Sequence, residues 1–352
     1  MCTGSPMELN LPQARILIIK MSSLGDIICA LPALFALRKK YPHAHITWAV
    51  HHAFKDILPG TSYLDDKVVI DRNRLRQPSY WRELHRELRG RSFDLVLDLQ
   101  MLAKSALVAR LSGAKARYGY WEAREGSGLV SQPIVGAHQY GHITERLLDV
   151  VEYFGADIDR IAYPLCDISD AEVTLRQKLQ ALGVTGEYIV IAPSSRGAGK
   201  DWPETSWREL IGQMTADGRH VVIAGSAADT PLAQRLLAGD RTKRTADLTG
   251  QTSLRELLAL EKHARMHISG DTGPLHIANA YGTSIIGLYG PTRPERSGPF
   301  HNPQGDYVTA QQAQNTDLKI KKNRNIAMST IPVEDVITLY RKKINAEQKK
   351  RP

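Results

Sequence analysis

What most constrains this chain is a rhythm that occurs twice: a short apolar strand, a polar loop, then an amphipathic stretch of helix length. In the first half, "RILIIK" (15–20), "HITWAV" (45–50), "KVVI" (67–70), "FDLVLDL" (93–99) and "ARYGY" (116–120) read as strands. Between them, "IICALPALFALRKKY", "SYWRELHRELRG" and "AKSALVARLSG" carry apolar residues at helical spacing. Continuous apolar strands that alternate with helices belong to a parallel sheet covered on both faces. A further helix is expected at 140–156, and "DIDRIAYPLCDISD" (157–170) reads as a linker. The rhythm then restarts, with strands at 188–195, 220–226, 266–269 and 284–290 and a closing helix at 332–346. The expected architecture is α/β with two Rossmann-like domains, 1–165 and 166–330, followed by a C-terminal helix and basic tail over 331–352 that pack back on the first domain.

Composition narrows the class. The length of 352 residues suits two domains of ordinary size. Cys2, Cys29 and Cys166 are widely spaced and form no CxxC pair, which argues against disulfides and structural zinc and for a reducing cytoplasm. No secretory leader is expected, and the apolar run "IICALPALFAL" has 11 residues and a proline, against the ~20 that span a bilayer. Net charge is +9, and seven arginines crowd residues 71–91. That density points to anionic partners. The basic tail "YRKKINAEQKKRP" reads as a solvated terminus. Nucleic acid is not expected, because no reader motif and no aromatic-interleaved basic face is present.

Neither GxGxxG nor GxxxxGK[ST] appears, which speaks against an ordinary NAD enzyme or a P-loop nucleotidase. Ligands of open α/β sheets still bind beyond the carboxyl ends of the strands. Three loops there carry chemistry. In "SGDTGPLHIANAYG", Pro274 suits the first helical position and puts Gly273 near the N-cap, beside Thr272, with His276 in the first turn. Such a helix start is an anion site, and a phosphate is the obvious guest; the plainer reading is a helix cap with a polar turn. In "KMSSLGDIICALPAL", Gly25 permits close backbone approach and Asp26 sets a carboxylate at the sheet's rim, although an N-capping role is the commoner one. Pro32 predicts that the helix starts late or bends. In "PSSRGAGKDWPETSW", Ser194, Ser195, Arg196 and Lys200 gather hydroxyls and cations on one glycine-rich turn, which otherwise reads as a surface loop. Asp229, after strand 220–226, is a candidate for the ribose of a nucleotide.

These stretches, with "DLVLDLQMLAKSALVARLSG", "YWEAREG", "KDWPETSWREL" and "SGDTGPLHIANAYGTSIIGLYGPTRP", resemble in content and order the ADP-heptose-dependent lipopolysaccharide heptosyltransferases, over roughly residues 14–300. The middle motifs most resemble members that add the first heptose to the Kdo sugar of lipid A. The resemblance implies a GT-B fold, twin Rossmann-like domains facing across a cleft, and an inverting transfer without metal or other cofactor. Asp26 matches the family's general base and Lys200 the lysine that holds the donor phosphates. Asp271, Thr272, Gly273 and His276 fall in the diphosphate motif, while Ser194 and Ser195 replace a threonine pair. Lys104, Arg124, Arg72, Arg74 and Arg76 lie where acceptor-binding basic residues are expected, with Ser23 and Gly25 beside them. Met101 replaces the usual glycine after "DLQ", a change expected to narrow the acceptor side. The implied partners are ADP-heptose, Kdo-lipid A and the inner face of the inner membrane. The alternative is a different acceptor (a second core heptose, or a protein) or a different nucleotide sugar.

Overall fold

All nine expected strands form, and each joins a parallel sheet of six. The computed structural model describes residues 13–195, 201–310 and 327–348. The chain divides into two compact units between Asp167 and Ile168.

The first unit contains β1 (Arg15–Ile19), α1 (Leu24–Lys40), β2 (His45–His51), β3 (Asp66–Ile70), α2 (Pro78–Gly90), β4 (Leu95–Asp98), α3 (Ala103–Ser112), β5 (Ala116–Tyr120), β6 (Gln132–Ile134) and α4 (Ile143–Glu152). The sheet order is β3-β2-β1-β4-β5-β6. β1 sits at the centre, with Ile16 opposite Ile46 of β2 and Ile19 opposite Asp98 of β4. α1 begins at Leu24 and runs through Pro32 without a late start. An internal proline costs a helix ~3 kcal/mol, whereas burying Ile27, Ile28, Leu31 and Leu34 stabilises it by roughly 1.5–3 kcal/mol each. Burial wins, and α1 lies against α4.

The second unit repeats the plan with α5 (Ser169–Ala181), β7 (Tyr188–Ala192), α6 (Glu204–Ala216), β8 (His220–Ile223), α7 (Thr230–Leu237), β9 (Thr245–Asp247), α8 (Leu254–His263), β10 (Met266–Gly270), α9 (Gly273–Tyr281), β11 (Ser284–Tyr289), α10 (Pro294–Ser297), β12 (Gly305–Thr309) and α11 (Val333–Gln348). Its order is β12-β11-β10-β7-β8-β9. α11 packs on α6 and β11, sending Val336, Ile337, Tyr340 and Ile344 into the same core as Trp202 and Trp207. The two indoles meet edge to face at 5.1 Å, and Trp202 Nε1 donates to the Ile331 carbonyl at 3.0 Å.

Within its own unit each sheet therefore reads 3-2-1-4-5-6, an order whose direction reverses between the first and fourth strands. In the first unit that switch lies between β1 and β4, and in the second between β7 and β10. The loops after those strands carry the expected chemistry.

Candidate active site

In the first unit the turn after β1 presents Asp26 as the third residue of α1. Its Oδ2 accepts from the Ser23 N–H at 3.0 Å and the Ser23 hydroxyl at 2.8 Å. Asp26 thus closes the capping box of α1 from the third helical position, while Ser23 takes the N-cap place that the plainer sequence reading gave to Asp26, and the Asp26 side chain remains 46% exposed. Lys20, at the end of β1, brings its ammonium to 3.9 Å from Asp26 Oδ1 and is itself 4% exposed. The cation stays interior because it donates to the Leu99 carbonyl at 2.8 Å. One capped, cation-flanked carboxylate thus reaches solvent at the switch point.

The "DLQ" residues after β4 brace this arrangement. Gln100 Oε1 accepts from the Met21 amide at 2.7 Å and the Ser22 amide at 3.3 Å, tying the β1–α1 loop to β4. Asp98 is fully buried, and its Oδ1 accepts from the amides of Gln100 at 3.1 Å and Met101 at 2.9 Å. Burial pushes its carboxyl up to about 6, against the pull of the Met101 amide, the Ser105 hydroxyl, the Gln100 amide and Lys20. The ordinary value is 3.8, so the folded chain holds this proton more tightly than the unfolded one. Its ionisation costs stability that falls away between about pH 4 and pH 6, by up to about 3 kcal/mol. Asp98→Asn is therefore expected to flatten that part of the pH–stability curve. Thermal melts of the two proteins from about pH 4 to about pH 8 check this, and parallel curves would contradict it.

Met101 has φ of 50°, a left-handed conformation that favours glycine and costs other residues about 1 kcal/mol or more. The backbone, then, is what a glycine after "DLQ" serves. The Met101 side chain is wholly buried against Gly119 of β5, so it fills interior space. A Cβ at Gly119 would collide with Met101 Sδ and stand 2.5 Å from the Asp98 carbonyl. Gly119→Ala is expected to destabilise the first unit by about 1–3 kcal/mol, measurable by denaturant unfolding.

Arg72, Arg76 and Lys104 line one cavity of about 400 Å³ together with Asn73 and Leu75. α2 explains how the segment folds: Tyr80, Leu84 and Leu88 face inward and leave the basic residues outside. Arg74 does not join them. Its guanidinium pairs with Glu83 at 2.7 Å and lies over the Tyr80 ring at 4.8 Å. Arg124 is exposed in the loop after β5, where its amide donates to the Met101 carbonyl at 3.2 Å. Gly25 is buried inside α1, and Ser23 is its N-cap.

In the second unit, Thr272 rather than Gly273 is the N-cap of α9, and Pro274 follows in the first turn. The Asp271 carboxylate is shared: Oδ1 lies 3.4 Å from His276 Nε2, and Oδ2 accepts from the Ser297 hydroxyl at 3.2 Å. A carboxylate repels phosphate, and Asp271 stands instead beside the His276 ring. After β7, Ser195 donates its amide and its hydroxyl to Asp201 Oδ1 at 2.7 and 3.1 Å, and Ser194 precedes it, half-buried. Arg196 and Lys200 lie outside the described residues. Asp229 repeats the Asp26 geometry, with Oδ2 accepting from the Ser226 amide at 2.7 Å and hydroxyl at 2.8 Å.

Lys20, Asp98, Gln100, Asp201 and Ser297 were not foreseen. A lysine closing the apolar strand "RILIIK" and an aspartate closing "FDLVLD" were the available signals, since a buried charge needs a partner. Asp201 and Ser297 act through loop geometry that no spacing encodes.

Twin units of this topology, each with its polar loops gathered at the switch point, define a GT-B glycosyltransferase fold. Residues 81–327 match Glycosyltransferase family 9 (heptosyltransferase), and the chain belongs to that family. It is similar to lipopolysaccharide heptosyltransferase 3 of Escherichia coli K12, 28% identical over 90% of this chain and 94% of the relative. It is also similar to lipopolysaccharide heptosyltransferase 1 of Pseudomonas aeruginosa PAO1, 29% identical over 82% of each. The E. coli heptosyltransferase WaaC, solved with ADP, superposes with a TM-score of 0.73 at 25% identity, over 94% of this chain and 99% of that one. A family 9 glycosyltransferase from Veillonella parvula shares the fold at a TM-score of 0.81 and 21% identity, over 97% and 99%.

Proposed function

We propose that this heptosyltransferase moves L-glycero-D-manno-heptose from ADP-heptose to the Kdo of lipid A in lipopolysaccharide core synthesis, with inversion and without a metal. Asp26 takes the proton of the acceptor hydroxyl. The oxygen bonds to the anomeric carbon as the bond from that carbon to the diphosphate breaks, and ADP leaves with the electron pair. The observation that carries the reading is Asp26 itself, a half-exposed carboxylate steered by Ser23 and Lys20 at the switch point of the first unit.

In this reading the second unit holds the diphosphate, through the first turn of α9, the Thr272 hydroxyl, His276 and Lys200. Fixed donors aimed at the departing charge lower the barrier. A lysine ~4 Å away at an effective dielectric near 20 contributes about 4 kcal/mol before desolvation. The helix end contributes about 0.3–1 kcal/mol, so Lys200 dominates. The cavity of Arg72, Arg76 and Lys104 suits the phosphates and carboxylate of Kdo-lipid A, since guanidinium groups grip both. No helix among the described residues is long and apolar enough to cross a membrane. Basic residues near an anionic leaflet contribute ≈ 1 kcal/mol each, which supports a cytoplasmic enzyme resting on the inner membrane's inner face.

The likeness to heptosyltransferase 3 favours a second reading, in which the acceptor already carries heptose. Incubation with ADP-heptose, against Kdo-lipid A and against its heptosylated form, separates the two. Mass spectrometry is expected to show one added heptosyl group on Kdo-lipid A. Addition to the heptosylated acceptor alone would move the assignment to the second reading.

A further inference from the structure

In the first unit α2 and α3 lie against each other, with Tyr80, Leu84 and Leu88 of α2 and Val108 and Ala109 of α3 in a common core. The outer side of this layer is not a surface of mixed sign. Arg82, Arg86 and Arg89 are all exposed, and residues at that spacing stand one above another along a helix. The acidic residues of α2, Glu83 and Glu87, do not neutralise this ridge. Glu83 pairs with Arg74 at 2.7 Å, and Glu87 with Arg91 at 2.9 Å, just past the helix end. Among the described residues no carboxylate forms an ion pair with Arg82, Arg86 or Arg89. α3 carries no acid and exposes Lys104, Leu107 and Arg110 at helical spacing. The Arg89 guanidinium lies beside Gly113, the C-cap of α3, so the two outer faces adjoin there.

The ridge does nothing for the helix that carries it. Like charges one turn apart disfavour a helix, and α2 is held by its buried face instead. A row of cations that opposes its own helix and meets no internal partner is suited to an anion outside the chain. Its form narrows the choice. The acceptor's own charged groups have the cavity of Arg72, Arg76 and Lys104, whereas the ridge is the outer face of a helix and encloses nothing. A broad anionic sheet fits it better than a single phosphate does. Lys104 stands in the first turn of α3, and Arg72 and Arg76 lie just ahead of α2, so a leaflet resting on these helices has the cavity at its margin.

We propose that the outer face of α2 and α3 docks on an anionic phospholipid leaflet, with Arg82, Arg86 and Arg89 as its main contacts. This rests on reading the acceptor as a membrane lipid, and it says which face of the first unit meets the membrane. The test is co-sedimentation of the full chain with phosphatidylethanolamine vesicles that contain phosphatidylglycerol, against vesicles of phosphatidylcholine alone. The wild type is expected to bind the anionic vesicles and not the neutral ones. A basic residue near an anionic surface is worth about fivefold in affinity, so Arg82→Gln, Arg86→Gln and Arg89→Gln together should weaken binding about a hundredfold. Glutamine is a good helix former, and the triple variant should keep wild-type turnover on an acceptor stripped of its acyl chains. Glu87→Gln removes a negative charge from the same helix and should tighten binding to anionic vesicles alone by several-fold, a gain that a folding defect does not mimic. Equal binding by wild type and triple variant, neutral vesicles bound as tightly as anionic ones, or no gain in Glu87→Gln would each overturn the proposal. Lost turnover on the stripped acceptor would place the ridge in the acceptor site and overturn its leaflet role. Tighter binding to a single-stranded RNA than to vesicles, lost in the triple variant, would also overturn it, in favour of nucleic acid. Ridge-dependent vesicle binding without heptosyl transfer to Kdo-lipid A would leave the docking face standing and remove the acceptor assignment.

Discussion

Asp26→Asn is expected to cut turnover by about 10²–10⁴-fold, the usual contribution of a positioned base, with ADP affinity nearly unchanged. Asparagine is the right replacement because Asp26 braces the start of α1 as well as being the proposed base. Its Oδ2 accepts from the Ser23 amide, and losing a helix cap costs about 1 kcal/mol. Alanine would remove cap and base together, whereas asparagine still accepts from Ser23 and only the basic oxygen is lost. Steady-state kinetics with saturating donor, read beside ADP titration, separate the roles. Near-normal turnover in the asparagine variant would take Asp26 out of the reaction.

Alanine at Arg72, Arg76 and Lys104 together should raise the acceptor KM about a hundredfold, less than three independent charge-assisted contacts would give, because cations sharing one cavity are coupled. The donor KM and the turnover at saturation should change little, since the role proposed for these side chains is to hold the acceptor, away from the reacting atoms. Arg74→Ala is the internal control. Its guanidinium already belongs to Glu83 and Tyr80, so its loss should leave the acceptor KM nearly intact. The wild-type acceptor KM should also rise with salt, and the triple variant's should respond less, because screening acts on exposed charges. A triple variant that loses donor and acceptor affinity alike would point to a folding defect in place of a lost acceptor site.

Why some of this was legible before the fold was known follows from where each residue obtains its free energy. "YIVIA" is buried along its whole length and "RILII" along all but its first residue, so their apolar runs announce them. β6, β9 and β12 escaped notice because they are short or lie at sheet edges, where Pro133 and the polar residues of "GDYVT" are tolerated and the apolar signal fades. The strands expected at 188–195 and 220–226 end early, at Ala192 and Ile223. Past those points the chain leaves the ladder to form the polar loops, a departure that apolar patterning cannot time. The same limit separates Asp26 from Lys20. A Gly-Asp pair at a strand-to-helix turn is visible in one line of sequence, but a lysine gains meaning only when β4 brings the Leu99 carbonyl beside it. Pro32 misled for the converse reason, since the local helix rule it obeys is weaker than the burial around it.

The most direct test of the division of labour between the two units is diffraction from crystals grown with ADP. The account predicts the β-phosphate within hydrogen-bonding distance of the Thr272 hydroxyl and the first-turn amides of α9, with His276 beside it and Lys200 on the same diphosphate. ADP bound elsewhere, with Thr272 and Lys200 both clear of its phosphates, would contradict it.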